Sequence, residues 1–319
     1  MQNPGKDNLS ISLLVPCYNE QEALLQSYQR IKKSIEILPY KFEIVFVDDG
    51  SKDDTWNIIK KIAAGDKAVK ALLLSRNFGK EAAMSAGLRE CTGDAVIILD
   101  ADLQDPPELI SALVDIWLSE KADVVYGQRR TRTGDTWMKR ATAAAFYKTI
   151  RFVSDVDIPE NTGDFRLMNR RATDAVLQLG EKHRFMKGLF AWIGYKQVAF
   201  HYDREARIAG TTKLNYRKLM HLAMEGITGF STTPLRIATL VGFLVSLFAF
   251  MFGGWIILKT LMDGRDVPGY ASLMVVVSFL SGVQLLSIGI MGEYIGRIFG
   301  ETKNRSLYFI QEKIDAEQK

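Results

Sequence analysis

The sequence lacks most of the features that announce a function at once. It has two cysteines in 319 residues, Cys17 and Cys91, and no CxxC pair. A disulfide framework and a cysteine-built zinc site are therefore disfavoured. No GxGxxG follows the first apolar strand, and there is no GxxxxGKS/T, kinase signature or GxSxG elbow. Dinucleotide dehydrogenases, P-loop enzymes, kinases and α/β-hydrolases lose their usual signatures with them. With 25 Gly and 8 Pro the chain is neither collagen-like nor low-complexity. Charge of one sign is scarce too. The balance of 41 Lys+Arg against 37 Asp+Glu leaves +4, which gives no case for nucleic acid.

What is present is unevenly distributed. The mean hydropathy of −0.01 is high for a soluble enzyme with 24% charged residues. The excess lies in two charge-free runs, Ile237–Leu258 and Val267–Gly292. Each reaches the ~20 apolar residues that a membrane-spanning helix needs. Spans are expected at about 235–258 and 270–292, joined by a short link, 259–266. Arg217, Lys218 and Arg236 precede the pair, and Arg297, Lys303 and Arg305 follow it. The positive-inside rule then puts both termini in the cytoplasm, as in a multi-pass protein of the cytoplasmic membrane. The start, MQNPGKDN, has no signal-peptide character, so both cysteines are expected as reduced thiols. Residues 214–231 carry apolar positions at helical spacing, with Arg217, Lys218, His221 and Glu225 opposite. They read as an amphipathic helix at the bilayer interface.

Residues 9–126 alternate apolar strands with helical stretches. Strands are expected at 11–15, 42–47, 69–74, 95–99 and 124–126, and helices at 21–38, 55–64, 80–90 and 107–120. This is the pattern of an α/β fold with a mostly parallel sheet. Ligands bind such sheets beyond the carboxyl ends of the strands. Those ends are acidic here: Asn19-Glu20, Asp48-Asp49 and Asp100-Ala101-Asp102. Two carboxylates two residues apart can share one Mg²⁺ or Mn²⁺ and leave positions open for phosphate oxygens. Downstream, Arg129, Arg130, Arg132, Lys139 and Arg140 form a basic cluster suited to a phosphate.

In combination these motifs become specific. Val15-Pro16-Cys17-Tyr18-Asn19-Glu20, Val47-Asp48-Asp49-Gly50-Ser51, Arg76-Asn77-Phe78-Gly79-Lys80 and Leu99-Asp100-Ala101-Asp102-Leu103-Gln104-Asp105 resemble family 2 glycosyltransferases of the GT-A fold. Asn161–Met168 and Arg184–Leu189 narrow the resemblance. With the C-terminal hairpin, the chain is similar to bacterial polyprenyl-phosphate glycosyltransferases of the bactoprenol glucosyltransferase group, relatives of dolichyl-phosphate mannose synthase.

The resemblance implies a GT-A catalytic domain at 1–213, the interface helix at 214–231, the hairpin at 235–292 and a cytoplasmic tail at 293–319. It implies that Pro16, Tyr18, Glu20, Asp48, Asp49, Asp100 and Ala101 surround the nucleotide. Asp100, Asp102 and Gln104 would hold the divalent metal. Arg207 and Lys213 would close a loop on the diphosphate, Arg129 and Arg140 would bind the acceptor phosphate, and Asp164 would be the catalytic carboxylate. The implied reaction is inverting transfer of a hexose, glucose first, from a UDP-sugar to undecaprenyl phosphate at the membrane. Another UDP-sugar, a processive synthase and a non-catalytic nucleotide-binding scaffold are the alternatives. Oligomeric state, a homo-oligomer included, is left open.

Overall fold

A computed structural model of the chain describes residues 9–130, 159, 162–182, 184–203, 231–263 and 269–315. Its first half follows the expected alternation: β1 Ser10–Cys17, α1 Leu24–Glu36, β2 Lys41–Asp48, α2 Thr55–Gly65, β3 Val69–Leu74, α3 Lys80–Glu90 and β4 Ala95–Ile98. A short 3-10 turn, Pro107–Leu109, leads into α4 Ile110–Glu120 and then β5 Val124–Arg129. The sequence pattern did not announce β6 Thr162–Asn169, α5 Arg170–Gln178, α6 Met186–Trp192 or β7 Gln197–Tyr202. Helix α1 starts three residues later than its apolar spacing suggested. The reason is local: Gln21 is tied to the next loop, its N–H donating to Asp53 at 3.2 Å and its side chain accepting from the Asp54 N–H at 3.0 Å.

One sheet collects every strand, in the order β7-β5-β6-β4-β1-β2-β3-β8. Strands β1 to β4 are mutually parallel, and β7 is parallel to β5. Strand β6 runs antiparallel between β4 and β5. The order grows outward from β1 through β2 to β3, then returns to the other side with β4. That reversal is a topological switch point, the place where open α/β sheets bind ligands at their carboxyl edge. The strands are near-continuous apolar runs because both faces are covered. Ile11, Leu13, Ile44 and Phe46 pack against α1, α2 and α4. On the other face Leu14, Val45, Val47 and Ile98 pack against α3, α5 and α6. Cys17 and Cys91 are buried free thiols, raised by burial first and by nearby carboxylates second. That is the chemistry of inert core residues.

Two long helices follow, α7 Thr233–Asp263 and α8 Tyr270–Thr302. Both are long and apolar enough to cross a membrane, and the span windows are wholly unburied. Pro234 sits in the first turn of α7, where its missing N–H costs nothing. Helix α8 runs ten residues past the expected Gly292. Charge ends a lipid-soluble run but not a helix: Glu293 and Arg297 are good helix formers and pair at i,i+4, 3.2 Å apart. The 293–319 segment holds a further element, β8 Ile310–Ile314, antiparallel to the outer edge of β3. Trp56 Nε1 donates to Glu312 at 2.9 Å, Lys313 pairs with Glu90 at 2.8 Å, and the Ser75 N–H donates to the Phe309 carbonyl at 2.9 Å. Of the proposed interface helix, residues 214–230 lie outside the described residues.

Candidate active site

The carboxyl ends of β1 and β2 are laced into one ledge. Asn19, at φ 51°, donates its N–H to Ser51 Oγ and accepts from the Lys52 N–H, each at 2.8 Å. The Glu20 N–H donates to Thr55 Oγ1 at 2.9 Å. Gly50 makes the turn possible. Its φ is +65°, and a Cβ there would stand 2.4 Å from the Arg76 carbonyl carbon. The ledge thus brings Pro16, Tyr18, Glu20, Asp48 and Asp49 to one edge.

The two adjacent aspartates do different things. Asp49 accepts from the Phe78 N–H at 2.7 Å and the Gly79 N–H at 2.9 Å, so its carboxylate holds the loop that carries Lys80. Asp48 accepts from the Ser51 N–H at 2.8 Å through Oδ1, while its buried Oδ2 has no hydrogen-bond partner among the described residues. Burial, the largest cause, raises both carboxyls, against the hydrogen bonds that lower them. A buried acceptor without a donor suits an incoming N–H or O–H. Arg76 is exposed and lies over the Phe78 ring, 4.1 Å from its centroid.

The β4 end carries Asp100, Ala101 and Asp102. Asp102 is buried and accepts from the Gln104 N–H at 3.1 Å, across a turn in which Leu103 has φ 56°. Among the described residues no three His, Cys, Asp or Glu side chains form a metal cage. Two carboxylates and an amide oxygen are a hard-oxygen set of the kind that shares a Mg²⁺-like ion with substrate phosphates instead of enclosing it.

Sheet register brings the next residue in. Ile98 pairs with Arg166 across the antiparallel β4–β6 ladder. Continuing two residues beyond each of them leads to Asp100 on one strand and Asp164 on the other. Lys80 closes the gap, with Nζ 2.6 Å from Asp100 Oδ1 and 2.6 Å from Asp164 Oδ2. Burial alone would raise the Asp164 carboxyl. Lys80, Lys187 and Arg166 outweigh it and hold that carboxyl far below the usual range. For Lys80, burial lowers the ammonium, and the two carboxylates more than reverse that. The Asp164 ion pair is thus with Lys80; Arg166 instead donates Nη2 to the Gly163 carbonyl at 2.9 Å and stacks on Phe190, 3.8 Å from the centroid. Burial brings the Arg166 guanidinium down to about 10.

Arg129 ends β5 on the same rim. Its Nη2 is 3.1 Å from where a Cβ on Gly163 would stand, and its buried Nε has no hydrogen-bond partner among the described residues. Tyr202 OH donates to Asp105 at 2.5 Å beside it. Arg140, Arg207 and Lys213 lie outside the described residues. Lys80 and Lys187 are the site residues that the sequence left without a definite role. Their positions in Arg76–Lys80 and Arg184–Leu189 were the available signal.

A carboxylate-lined switch point with flanking cations suits a phosphorylated ligand bound with a divalent ion. Residues 12–177, just over half of the chain, match Glycosyl transferase family 2, and the chain belongs to that family. Residues 233–298 match the family described as GtrB C-terminal hairpin. The chain is 49% identical over 304 residues to an uncharacterized glycosyltransferase of Synechocystis sp., covering 95% of both. It is 47% identical over 305 residues to the bactoprenol glucosyl transferase of Shigella phage SfX, covering 96% of this chain and 100% of that one. Mannosyl-3-phosphoglycerate synthase from Rubrobacter xylanophilus superposes with a TM-score of 0.47 at 19% identity, over 68% of this chain and 71% of that one.

Proposed function

We propose that this glycosyltransferase moves glucose from UDP-glucose to a polyprenyl phosphate at the cytoplasmic face of a membrane, releasing UDP. The observation that carries the reading is the single rim on which Asp48, Asp100, Asp102, Asp164, Lys80 and Arg129 meet. Near full-length similarity to a bactoprenol glucosyl transferase supports the choice of sugar and lipid. The domain reading is a catalytic unit at 1–213, an interface helix at 214–231, the membrane hairpin within 235–292 and a cytoplasmic tail that returns to the sheet.

The donor's uridine lies on the ledge of Pro16, Tyr18, Glu20, Asp48 and Asp49, with Asp48 Oδ2 accepting from a base or ribose donor. Asp100, Asp102 and Gln104 would hold a Mg²⁺ or Mn²⁺ ion, Ala101 keeping the turn between them close to the diphosphate. When bound, that ion neutralises the diphosphate as the sugar leaves it. Arg207 and Lys213 add cations on the same phosphates. Arg129 and Arg140 bind the acceptor phosphate. An acceptor oxygen attacks the anomeric carbon from the face opposite UDP, so the bond to UDP breaks with inversion.

This chemistry needs little base. A phosphate monoester has a second pKa of ~6 and is mostly dianionic at neutral pH. Asp164, depressed by its cations, is a weak base. Its task is orientation: it fixes Lys80 and aligns the sugar or the acceptor. In this reading α7 and α8, each long and apolar enough to cross a membrane, anchor the catalytic unit at the surface where the lipid phosphate is found.

The deciding experiment follows radiolabelled glucose from UDP-glucose into solvent-extractable lipid in membranes supplied with polyprenyl phosphate. Signal from the wild type, lost by ~100-fold or more in Asp102→Ala, is the expected result. Equal signal from both refutes the reading. Other UDP-sugars outrunning UDP-glucose would change the donor but keep the reaction.

A further inference from the structure

The Arg184–Leu189 segment contains a side chain to which the proposed reaction gives no chemical task. Most of the segment is structural. Arg184 donates to Ser85 Oγ at 2.9 Å and to the Leu179 carbonyl, and Phe185, Met186 and Leu189 are buried. Lys187 differs. From the first turn of α6 its Nζ reaches the rim and donates to the Thr162 carbonyl at 2.8 Å. That carbonyl is its one hydrogen-bond partner among the described residues. Asp164, the carboxylate that faces it, is already paired with Lys80 at 2.6 Å.

The surroundings add further cationic groups. Three consecutive residues, Thr162, Gly163 and Asp164, are met by Lys187, Arg129, Arg166 and Lys80. Arg129 Nε and Arg166 Nε are both buried without a hydrogen-bond partner among the described residues. The carboxylates of Asp164, Asp100, Asp102 and Asp105 stand among them, Asp164 and Asp100 paired with Lys80 and Asp105 accepting from Tyr202 OH. Burial, joined by Arg129, Arg166 and Lys80, lowers the Lys187 ammonium, and Asp164 opposes that. Buried guanidinium donors without a partner among the described residues, beside an ammonium held by one carbonyl, are expected where an anion docks.

The sheet separates this cluster from the donor ledge. Thr162 pairs with Gln128, the neighbour of Arg129, so Lys187 stands on the β5–β6 side of the rim. The donor ledge lies on β1 and β2, on the other side of β4. Lys80 stands between, on the donor carboxylate Asp100. Lys187 and Arg129 therefore flank β6 on the side away from the donor ledge, where a second substrate has room to approach.

We propose that Lys187 is a direct ligand of the acceptor phosphate, forming with Arg129 a two-cation clamp that holds the attacking oxygen beside Asp164. This rests on the proposed polyprenyl-phosphate acceptor. The ammonium gives up part of its contact with the Thr162 carbonyl and gains a charge-assisted bond to a phosphate oxygen.

The test uses the full chain in detergent or nanodiscs, as wild type, Lys187→Met and Lys187→Arg. Three quantities are read: kcat and KM against polyprenyl phosphate, KM against UDP-glucose, and UDP affinity by calorimetry. Lys187→Met should lose about 10- to 100-fold in kcat/KM for the lipid, the size of one charge-assisted hydrogen bond. Its KM for UDP-glucose and its UDP affinity should stay at wild-type values, and Lys187→Arg should recover part of the loss. Weakened UDP binding in Lys187→Met would make Lys187 a donor ligand and overturn the proposal. An unchanged lipid KM, with kcat lowered equally in both variants, would reduce Lys187 to a structural part and also overturn it. A wild type that transfers nothing to polyprenyl phosphate refutes the parent reading, and this one with it. With an active wild type, the variants test Lys187 alone.

Discussion

Lys80→Met is the most informative single change. One ammonium serves two carboxylates at 2.6 Å each, and the side chains of Lys80, Asp100 and Asp164 are 39%, 21% and 16% exposed. Breaking a fully buried pair from one side costs ~3–5 kcal/mol, whereas a fully exposed pair contributes ~0–1 kcal/mol. Exposure between those limits sets the cost at about 2 kcal/mol, with the two carboxylates left facing each other. For a domain of this size that is a fall of about 4–8 °C in Tm. A divalent cation should bind the freed carboxylates more tightly than it binds the wild type, where Lys80 competes for Asp100. Mn²⁺ should therefore raise the variant's Tm by more than the wild type's, as ligand linkage requires. Thermal unfolding of the detergent-solubilised chain, followed by tryptophan fluorescence with and without Mn²⁺, reads both effects. A variant that melts with the wild type, and gains no more from Mn²⁺ than it does, refutes the reasoning.

Other outcomes follow from the same geometry. Gly50→Ala meets both a φ of +65° and a Cβ position 2.4 Å from the Arg76 carbonyl carbon, so it should cost more than ~2 kcal/mol. A melting temperature equal to that of the wild type would contradict this. Asp164 is held below the ordinary carboxylate pKa of ~4, so its contribution to stability is complete above that value and disappears only as pH falls through the lower folded one. Between pH 5 and 9 its charge is constant, and the acid limb of lipid transfer should follow the acceptor's ionisation near ~6. Asp164→Asn should lower the rate without moving that limb; a limb that vanished in the variant would make Asp164 a base after all. Trp56→Phe removes the 2.9 Å bond to Glu312 and should speed amide exchange in Ile310–Ile314. Unchanged exchange there would show that the ladder alone holds β8.

The sequence carried the parts of this structure that depend on neighbours in the chain. Apolar runs ending in Asp48 or Asp100 mark strand ends because a buried strand must stop being apolar where it leaves the core. The charge-free runs within 237–292 are legible for the corresponding reason in lipid. Long-range register was not legible. Asp164 lies 64 residues beyond Asp100, and only the antiparallel Ile98–Arg166 pairing aligns them. Without that register the double role of Lys80 is invisible, since RNFGK reads equally well as a surface loop. Strand β8 escaped for a different reason. IQEKI is five residues with two charges, exposed along most of its length. Its stability comes from the β3 edge and Trp56, not from a pattern of its own.

That last strand imposes a rule of parity on biosynthesis. Residues 310–314 pair with the sheet formed by residues 9–203, so under the proposed membrane reading the chain between them traverses the bilayer an even number of times. A ribosome releases β3 some 240 residues before its outer neighbour, and until then the strand is an unsatisfied edge open to misassociation. A nascent chain whose second hydrophobic helix failed to insert with the first would strand β8 across the bilayer and leave that edge bare. Under the proposed membrane reading, the closing of β8 on β3 is thereby tied to both helices having been threaded as a pair.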